Sequence, residues 1–548
     1  MSRDLAATRA LGVLRITKPR TGCTEPAFAS QGHRTQSALP RATETASACN
    51  ANPEVPMIRH SLLVCTACVA LLCAAPVSAA TYPDVELPRI PGASVPTVHP
   101  FLLADRASVE ALIADAKISP GTAVALKRLA ASVKSWVNNP AFIAQKTTPY
   151  SGTDLGQYMA QFSVFGGHGS GAALIALSLA FYHQIHLLDP SFGDAATDAA
   201  AANGARAIIW SWASAGFRPG GKLISSYQTF TGVDANGTPT RPDAIYASVN
   251  LQIGRGMFPL VLAQDIMQST TPAEHNVTIN AFLASMRDML IQAANRHYAN
   301  SNTFDCHRYD NQADAGMTGL LALGWYTGDM DLVNDLAGVP TAPKLLSWTW
   351  PQQVEAQIYG TGEGARSCNP QTSVGDKYNP VAARGEITDR ERNEPHQSIG
   401  YPTGSLESLM QAARMFRKLG FDAYHFTGPH GQGIQAALDY YAQYYTAYAS
   451  VGPATIPATG TIPDIAQYAG DAYTTAAAGA AVTGGDGLIW PYRIASTVYP
   501  EDAGIKAALD RAQALYNQER TATNGRTSYL PASTPDIMSL MMLGSRAN

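Results

Sequence analysis

The stretch Ala172–Leu188 reads AALIALSLAFYHQIHLL, and it decides the fold class of this chain. It is almost wholly apolar, contains neither glycine nor proline, and is longer than an ordinary strand. Such a run predicts a helix that is buried on every side. A helix of this kind needs other helices around it, so we expect a core of packed helices.

Helix signals recur on both sides of this stretch. Asp105 is a suitable N-cap before apolar residues at helical spacing, and Thr271-Pro272-Ala273-Glu274 reads as a capping box with proline at the first helical position. Further helices are predicted at Gly204–Trp212, Val249–Met267 with a kink at Pro259, Gly316–Tyr326, Ser405–Leu419, Gln435–Tyr448, Ile462–Val482 and Ala503–Tyr516. No sustained two-residue alternation predicts a major sheet.

Helices with broad apolar faces must cover one another, and two architectures allow this. One is a solenoid of helix pairs, and the other is a set of helix pairs closed into a ring. No fixed repeat period supports the solenoid. We therefore expect a mainly α fold, an (α/α) toroid or incomplete helical barrel in a single large domain, with a pocket lined by loops at one end.

Residues 57–80 read as a signal peptide. A short basic start is followed by the apolar run Ser61–Ala75 and by Val77-Ser78-Ala79, a small-residue cleavage pattern. The apolar run is too short for a comfortable membrane span. We expect residues 1–56 to be a disordered or mis-assigned upstream segment, and residues 81–548 to form the mature domain of a periplasmic or secreted protein.

Removal of the leader leaves two of the seven cysteines, Cys306 and Cys368. In an oxidising exported compartment we expect a disulfide between them. The net charge of −4 and the absence of a basic stripe argue against a nucleic-acid partner. The mature protein is expected to be a monomer without stable membrane association.

Charge concentrates in Gly385–Tyr401, GEITDRERNEPHQSIGY, although only 15% of the chain is charged. The segment predicts a loop entering a helix, where binding and catalytic groups are common. The alternative is a solvated loop whose charges pair with one another. Two more polar loops could line the same pocket: Phe165–Gly171, which contains His168 and is a close-packing turn in the alternative interpretation, and Cys306–Gln312.

Several motifs, in order, resemble the alginate lyase family, exported lyases of uronate polysaccharides. They are His99-Pro100-Phe101-Leu102-Leu103, Asp310-Asn311-Gln312 before Gly319–Tyr326 and Gly328-Asp329, Arg392-Asn393-Glu394-Pro395-His396-Gln397, Gly420–Tyr424 and the tyrosine-bearing Leu438–Tyr444. The resemblance is to the broader family rather than to the classical mannuronate lyases. It implies a helical toroid, β-elimination on a uronic-acid polymer, and an active site of Asn, Arg, His and Tyr.

Two positions depart from the narrower family pattern. Gln312 stands where those lyases carry a histidine after the motif asparagine, and Pro395 stands where they carry a tyrosine. Tyr401 and Tyr444 are the nearest tyrosines by sequence, and either could be catalytic. These departures bear on the identity of the substrate more than on the reaction class.

A uronate lyase removes the C5 proton beside the C6 carboxylate, so the carboxylate charge must be offset. Asn311 offers two amide donors and Arg392 a forked cationic set, which suits them to the carboxylate. His396 can act as the base or as a further donor to the carboxylate. Tyr401 or Tyr444 would be the acid, or a base if Arg392 lowers its pKa.

Each assignment has a structural alternative. Asn311 could cap the following helix, Arg392 could pair with Glu386 or Glu391, and His396 could be a structural histidine. Candidate substrate-binding residues are His168, Gln312, Trp348 and Trp350. The two tryptophans could stack on sugar rings, and they suit the core equally well.

No metal-binding spacing of His, Cys or Asp is present, so we expect no cofactor and no catalytic metal. Two other functions remain open. One is a glycoside hydrolase on a similar toroid, which would draw two carboxylates from Asp310, Asp389, Glu391 and Glu394. The other is an exported carbohydrate-binding protein without activity.

Overall fold

The computed structural model describes residues 82–151, 155–163, 171–216, 242–300, 308–363, 383–388, 400–451, 486–510 and 540–542. These ranges contain helices and no strand, apart from isolated bridges that join Arg89 to Phe421 and Ile358 to Ile387. The predicted mainly α class is confirmed. None of the helices in these ranges has the length and apolar character needed to cross a membrane.

The α-helices of the described ranges are α1 Arg106–Ile118, α2 Pro120–Val137, α3 Pro140–Lys146, α4 Leu155–Phe162, α5 Ala172–Leu188, α6 Ala195–Ala215, α7 Pro242–Met267, α8 Ala273–Asn300, α9 Asn311–Thr327, α10 Met330–Leu336, α11 Trp350–Gln357, α12 Gly400–Lys418, α13 Ile434–Val451 and α14 Asp486–Val498. Residues 503–510 are also helical. The predicted helix Ile462–Val482 lies outside the described residues.

Four helices form an inner layer in which α5 packs on α7, α7 on α9, and α9 on α12. Helices α6 and α8 form an outer layer: α6 packs on α5, α7 and α8, and α8 packs on α7 and α9. In α9 15 of 17 residues are buried, and in α5 13 of 17 are, with the exceptions in its last turns, as expected for helices enclosed by others. This double layer is the predicted α/α toroid.

Two ion pairs connect the last helices to the first. Lys418 at the end of α12 bonds to Asp105, the N-cap of α1. Arg493 of α14 donates from Nη1 to Oδ2 of Asp115 in α1 at 3.0 Å, and both side chains are buried. Because α1 also packs on α5, these contacts close the ring. All the described residues belong to one compact unit, Val77–Asn548.

Helices α7 and α9 run in the same direction and touch through their backbones. A Cβ atom on Gly254 would lie 2.4 Å from the carbonyl oxygen of Ala315, and one on Gly319 would lie 2.9 Å from Cα of Gly254. Further along both helices, the Tyr326 hydroxyl group donates to Gln268, just beyond α7. Glycine at these positions allows the close approach and fixes α9 against α7.

The chain before α1 crosses the C-terminal ends of the inner helices. The Ile90 amide donates to the carbonyl of Gly420 after α12 at 2.8 Å. Asp265 near the end of α7 accepts from the amides of Phe101 and Leu102 at 3.0 and 2.9 Å. This end of the toroid is therefore covered by residues of the predicted His99–Leu103 motif. Helices α7, α9 and α12 begin at the opposite end.

Candidate functional site

The first turn of α9 begins at a capped and buried N-terminus. Asp310 is the N-cap, and its Oδ1 accepts from the amides of Gln312 and Ala313 at 2.9 and 3.0 Å. Asn311 is the first helical residue and is 2% exposed. The alternative in which Asn311 caps this helix is therefore wrong, because Asp310 performs that task. Asp310, as a buried cap, is also poorly suited to the hydrolase role considered above.

A buried polar network ties the start of α9 to α11 and α12. Asp314 accepts from Nε2 of Gln353 at 2.8 Å through Oδ1, and from Nε2 of Gln357 at 2.7 Å through Oδ2. The same Gln357 nitrogen donates to Oγ of Ser405 at 3.0 Å. All four side chains are buried. The network therefore holds the beginning of α12 beside the first turns of α9.

Residues 383–388 pass between the end of α11 and helix α13. The Gly385 amide donates to the carbonyl of Tyr359 at 2.8 Å, and its φ of 89° is in the region that favours glycine. The Ile387 amide donates to the hydroxyl oxygen of Tyr441 at 3.2 Å. The Thr388 hydroxyl group donates to the carbonyl oxygen of Tyr309 at 3.4 Å. Thr388 precedes Arg392 by four residues, and Tyr309 precedes Asn311 by two.

Aromatic rings pack behind this end of α9. Tyr298 stacks on Trp348 with 5.2 Å between ring centroids, and the Arg308 guanidinium group lies 4.3 Å from the Tyr298 centroid. Tyr309 meets Tyr298 edge to face at 5.9 Å. Burial raises the pKa of Tyr309, so this phenol stays protonated at neutral pH.

The two tryptophans proposed to bind sugar are core residues. Trp348 is 1% exposed and its indole N–H donates to the sulfur of Met317 at 3.1 Å. Trp350 is equally buried and packs edge to face on Phe416 and Phe426. Neither ring face is open to a ligand, so the packing interpretation replaces the binding one for both.

The remaining candidates are only partly described. Gln312 is partly exposed, in contrast to the buried Asn311 before it. The backbone of Tyr401 lies in the first turn of α12, and that of Tyr444 lies in α13, about one turn after Tyr441; both side chains are outside the described part. His168, Cys306, Cys368, Arg392 and His396 lie outside the described residues.

Asp314 and its two glutamine partners were not predicted from the sequence. A signal was present, because Gln353 and Gln357 are four residues apart and share a face of α11. That helix opens with a capping box formed by Thr349 and Gln352, which marks its start clearly. Within the described ranges, no group of three His, Cys, Asp or Glu side chains is arranged to hold a metal ion.

No protein-family model matches the chain, and no curated protein matches it. Among solved structures, an alginate lyase from Bacteroides ovatus is similar to this chain over 81% of its length and 99% of the lyase, with 15% sequence identity and a TM-score of 0.42. Similarity at this level does not transfer an activity, and the fold described above rests on the helix packing of this chain alone.

Proposed function

We propose that this chain is a polysaccharide lyase that cleaves a 4-linked uronate polymer by β-elimination. One observation carries the proposal: described residues on both sides of the stretch that contains Arg392 and His396 are linked by hydrogen bonds to the start of α9 or to the residues just before it. Thr388 donates to the Tyr309 carbonyl on one side. Ser405 joins the Gln357 and Asp314 network on the other. Both contacts support a shared site with Asn311.

In this proposal Asn311 and Arg392 bind the C6 carboxylate of the uronate. The amide and the guanidinium group offset its negative charge, which lets negative charge develop at C5 in the transition state. Asn311 is suited to this role because its amide offers two donors at the start of α9, next to the partly exposed Gln312. The residues that support it, Asp310 and Asp314, are anchored by hydrogen bonds.

The elimination then needs a base and an acid. The base removes the C5 proton, the C5–H electron pair becomes the C4–C5 double bond, and the bond from C4 to the glycosidic oxygen breaks. An acid protonates the leaving oxygen. His396 is the proposed base or a further donor to the carboxylate, and Tyr401 or Tyr444 is the proposed acid. The product carries an unsaturated uronate at its new non-reducing end.

The test is to incubate the mature protein, from Thr81 onward, with a panel of acidic polysaccharides and to follow ultraviolet absorbance and new reducing ends together. A lyase raises both signals in equal amounts. New reducing ends without the double bond would instead indicate a glycoside hydrolase. Polymer binding with neither signal would indicate a carbohydrate-binding protein and would overturn the proposal.

A further inference from the structure

His297 is a buried histidine that the proposed chemistry does not use. It lies in the last turn of α8 and is 2% exposed. Its Nε2 atom is 3.6 Å from Oδ1 of Asp310, which is longer than a hydrogen bond. Within the part of the chain that the structure describes, neither of its ring nitrogens has a hydrogen-bond partner. A buried polar side chain without partners is uncommon and costs stability, because it has lost its hydrogen bonds to water.

The atom that His297 faces controls the start of α9. Oδ1 of Asp310 accepts the amides of Gln312 and Ala313, and these bonds fix the helix N-terminus. Asn311 is the residue between the cap and those amides. Any movement of the Asp310 carboxylate therefore moves Asn311 as well. A packing role alone would be served by an apolar side chain, whereas an imidazole can also donate to this carboxylate.

We propose that His297 is a positioning residue for the lyase site: its Nε2–H donates to Asp310 in the substrate complex and so holds Asn311 in register with the substrate carboxylate. This inference rests on the proposed function. The 3.6 Å separation suits it, because hydrogen bonds of active sites are often long without substrate and tighten when the substrate binds. His297 touches no substrate in this account. It acts through Asp310 and Asn311.

The test uses the geometry of amide side chains. The terminal nitrogen of glutamine can replace Nε2 of histidine, whereas asparagine reaches only as far as Nδ1. We expect His297→Gln to retain kcat within about threefold, and His297→Asn and His297→Leu to lower it by about tenfold to a hundredfold. KM should change less than kcat, because His297 orients Asn311 and does not itself bind the substrate. The matched control is His275→Leu at the opposite end of α8, where the ring stacks on Trp210 at 3.8 Å.

The outcomes separate this inference from the proposed function. A wild-type protein that forms no unsaturated product overturns both. A normal kcat in His297→Leu or in His297→Asn, with an active wild type, overturns the role of His297 alone. If His297→Leu fails to fold, the role of His297 is tested by comparing the kcat values of the Gln and Asn variants, provided that these two variants melt at the same temperature. Equal kcat values for those two variants contradict the proposal.

Discussion

Asp310 and Asn311 are adjacent in the sequence but have different roles. The aspartate caps α9, whereas the buried asparagine is the first residue of the helix and is the one proposed to bind substrate. The sequence allowed either residue to cap the helix, because Asp and Asn are equally good N-caps. Only the hydrogen bonds of the folded chain distinguish them. The burial of Asp314 could not be predicted from the sequence either. Its carboxylate is tolerated in a buried helix because Gln353 and Gln357 donate to it from another helix.

One carboxylate pair makes stability depend on pH. Burial and a hydrogen bond with Asp502 raise the pKa of Asp439 from 3.8 to about 6. The folded state therefore keeps a proton that the unfolded chain loses near pH 4. Between pH 4 and about 6 the folded state binds more protons, so the free energy of unfolding falls as pH rises through this window. The pKa of Asp502 is lowered by hydrogen bonds from Gln435 and Ile505, against the effect of burial.

We expect Asp439→Asn to remove this part of the pH dependence, roughly 1–2 kcal/mol after allowance for partial exposure. Urea unfolding of wild type and variant at pH 4.5 and pH 7 measures it. Asp331→Asn, on the exposed side of α10, should keep the wild-type difference between the two pH values. An Asp439→Asn variant with an unchanged difference would show that the pair does not share a proton.

The helices that could be predicted from periodicity are those whose apolar residues form a strong pattern. Helix α5 spans the whole predicted stretch, whereas α9 begins at Asn311, five residues before the predicted start at Gly316. Those five residues are polar or small, and their burial depends on partners distant in the sequence. Helix α2 was missed despite a visible signal, Ser119 as N-cap before Pro120. Its apolar residues are diluted by alanine and lysine.

The contact between α7 and α9 depends on glycine. We expect Gly254→Ala to lower the free energy of unfolding by about 1–3 kcal/mol, because the new methyl group meets the backbone of Ala315 and Gly316 rather than a flexible side chain. Chemical denaturation measures the loss. The control is Gly204→Ala in α6, where the new Cβ lies 3.1 Å from the end of the Leu179 side chain.

We expect the control to be neutral or slightly stabilising, since alanine favours a helix over glycine by up to about 1 kcal/mol. A Gly254→Ala variant as stable as the control would contradict the backbone contact between α7 and α9.

For the whole molecule, the sequence predicted packed helices and a ring, but not how the ring closes. Closure depends on Arg493 and Asp115, which are separated by most of the chain, and no periodicity links them. Burial of Trp348 and Trp350 likewise follows from the assembled layers. The candidate site residues were predicted in another way, from their order along the chain and from their residue types rather than from periodicity. Arg392 and His396 remain predictions.

Removal of Arg493 should weaken ring closure. We expect Arg493→Ala to cost about 3 kcal/mol, because the buried Asp115 carboxylate loses its cationic partner while keeping its hydrogen bond from Thr122. The double variant with Asp115→Ala should lose less than the sum of the two single variants, since the two groups interact directly. Urea denaturation of the four proteins measures this coupling. Additive losses would mean that the ion pair does not contribute to closure.

The whole proposal depends on one site at the ends of α9 and α12 where the helices begin. It is tested most directly by the rate of unsaturated uronate formation in wild type and in the variants Asn311→Ala, Arg392→Ala and His396→Ala, with folding checked by thermal melting. Each variant should lose about a hundredfold or more in kcat, as expected for removal of a group that stabilises the transition state, and should melt as a folded protein. Asn334→Ala, in the partly exposed part of α10, should retain full activity. Wild-type turnover in folded Asn311→Ala or Arg392→Ala would contradict the site, whereas activity in the wild type and Asn334→Ala alone would support it.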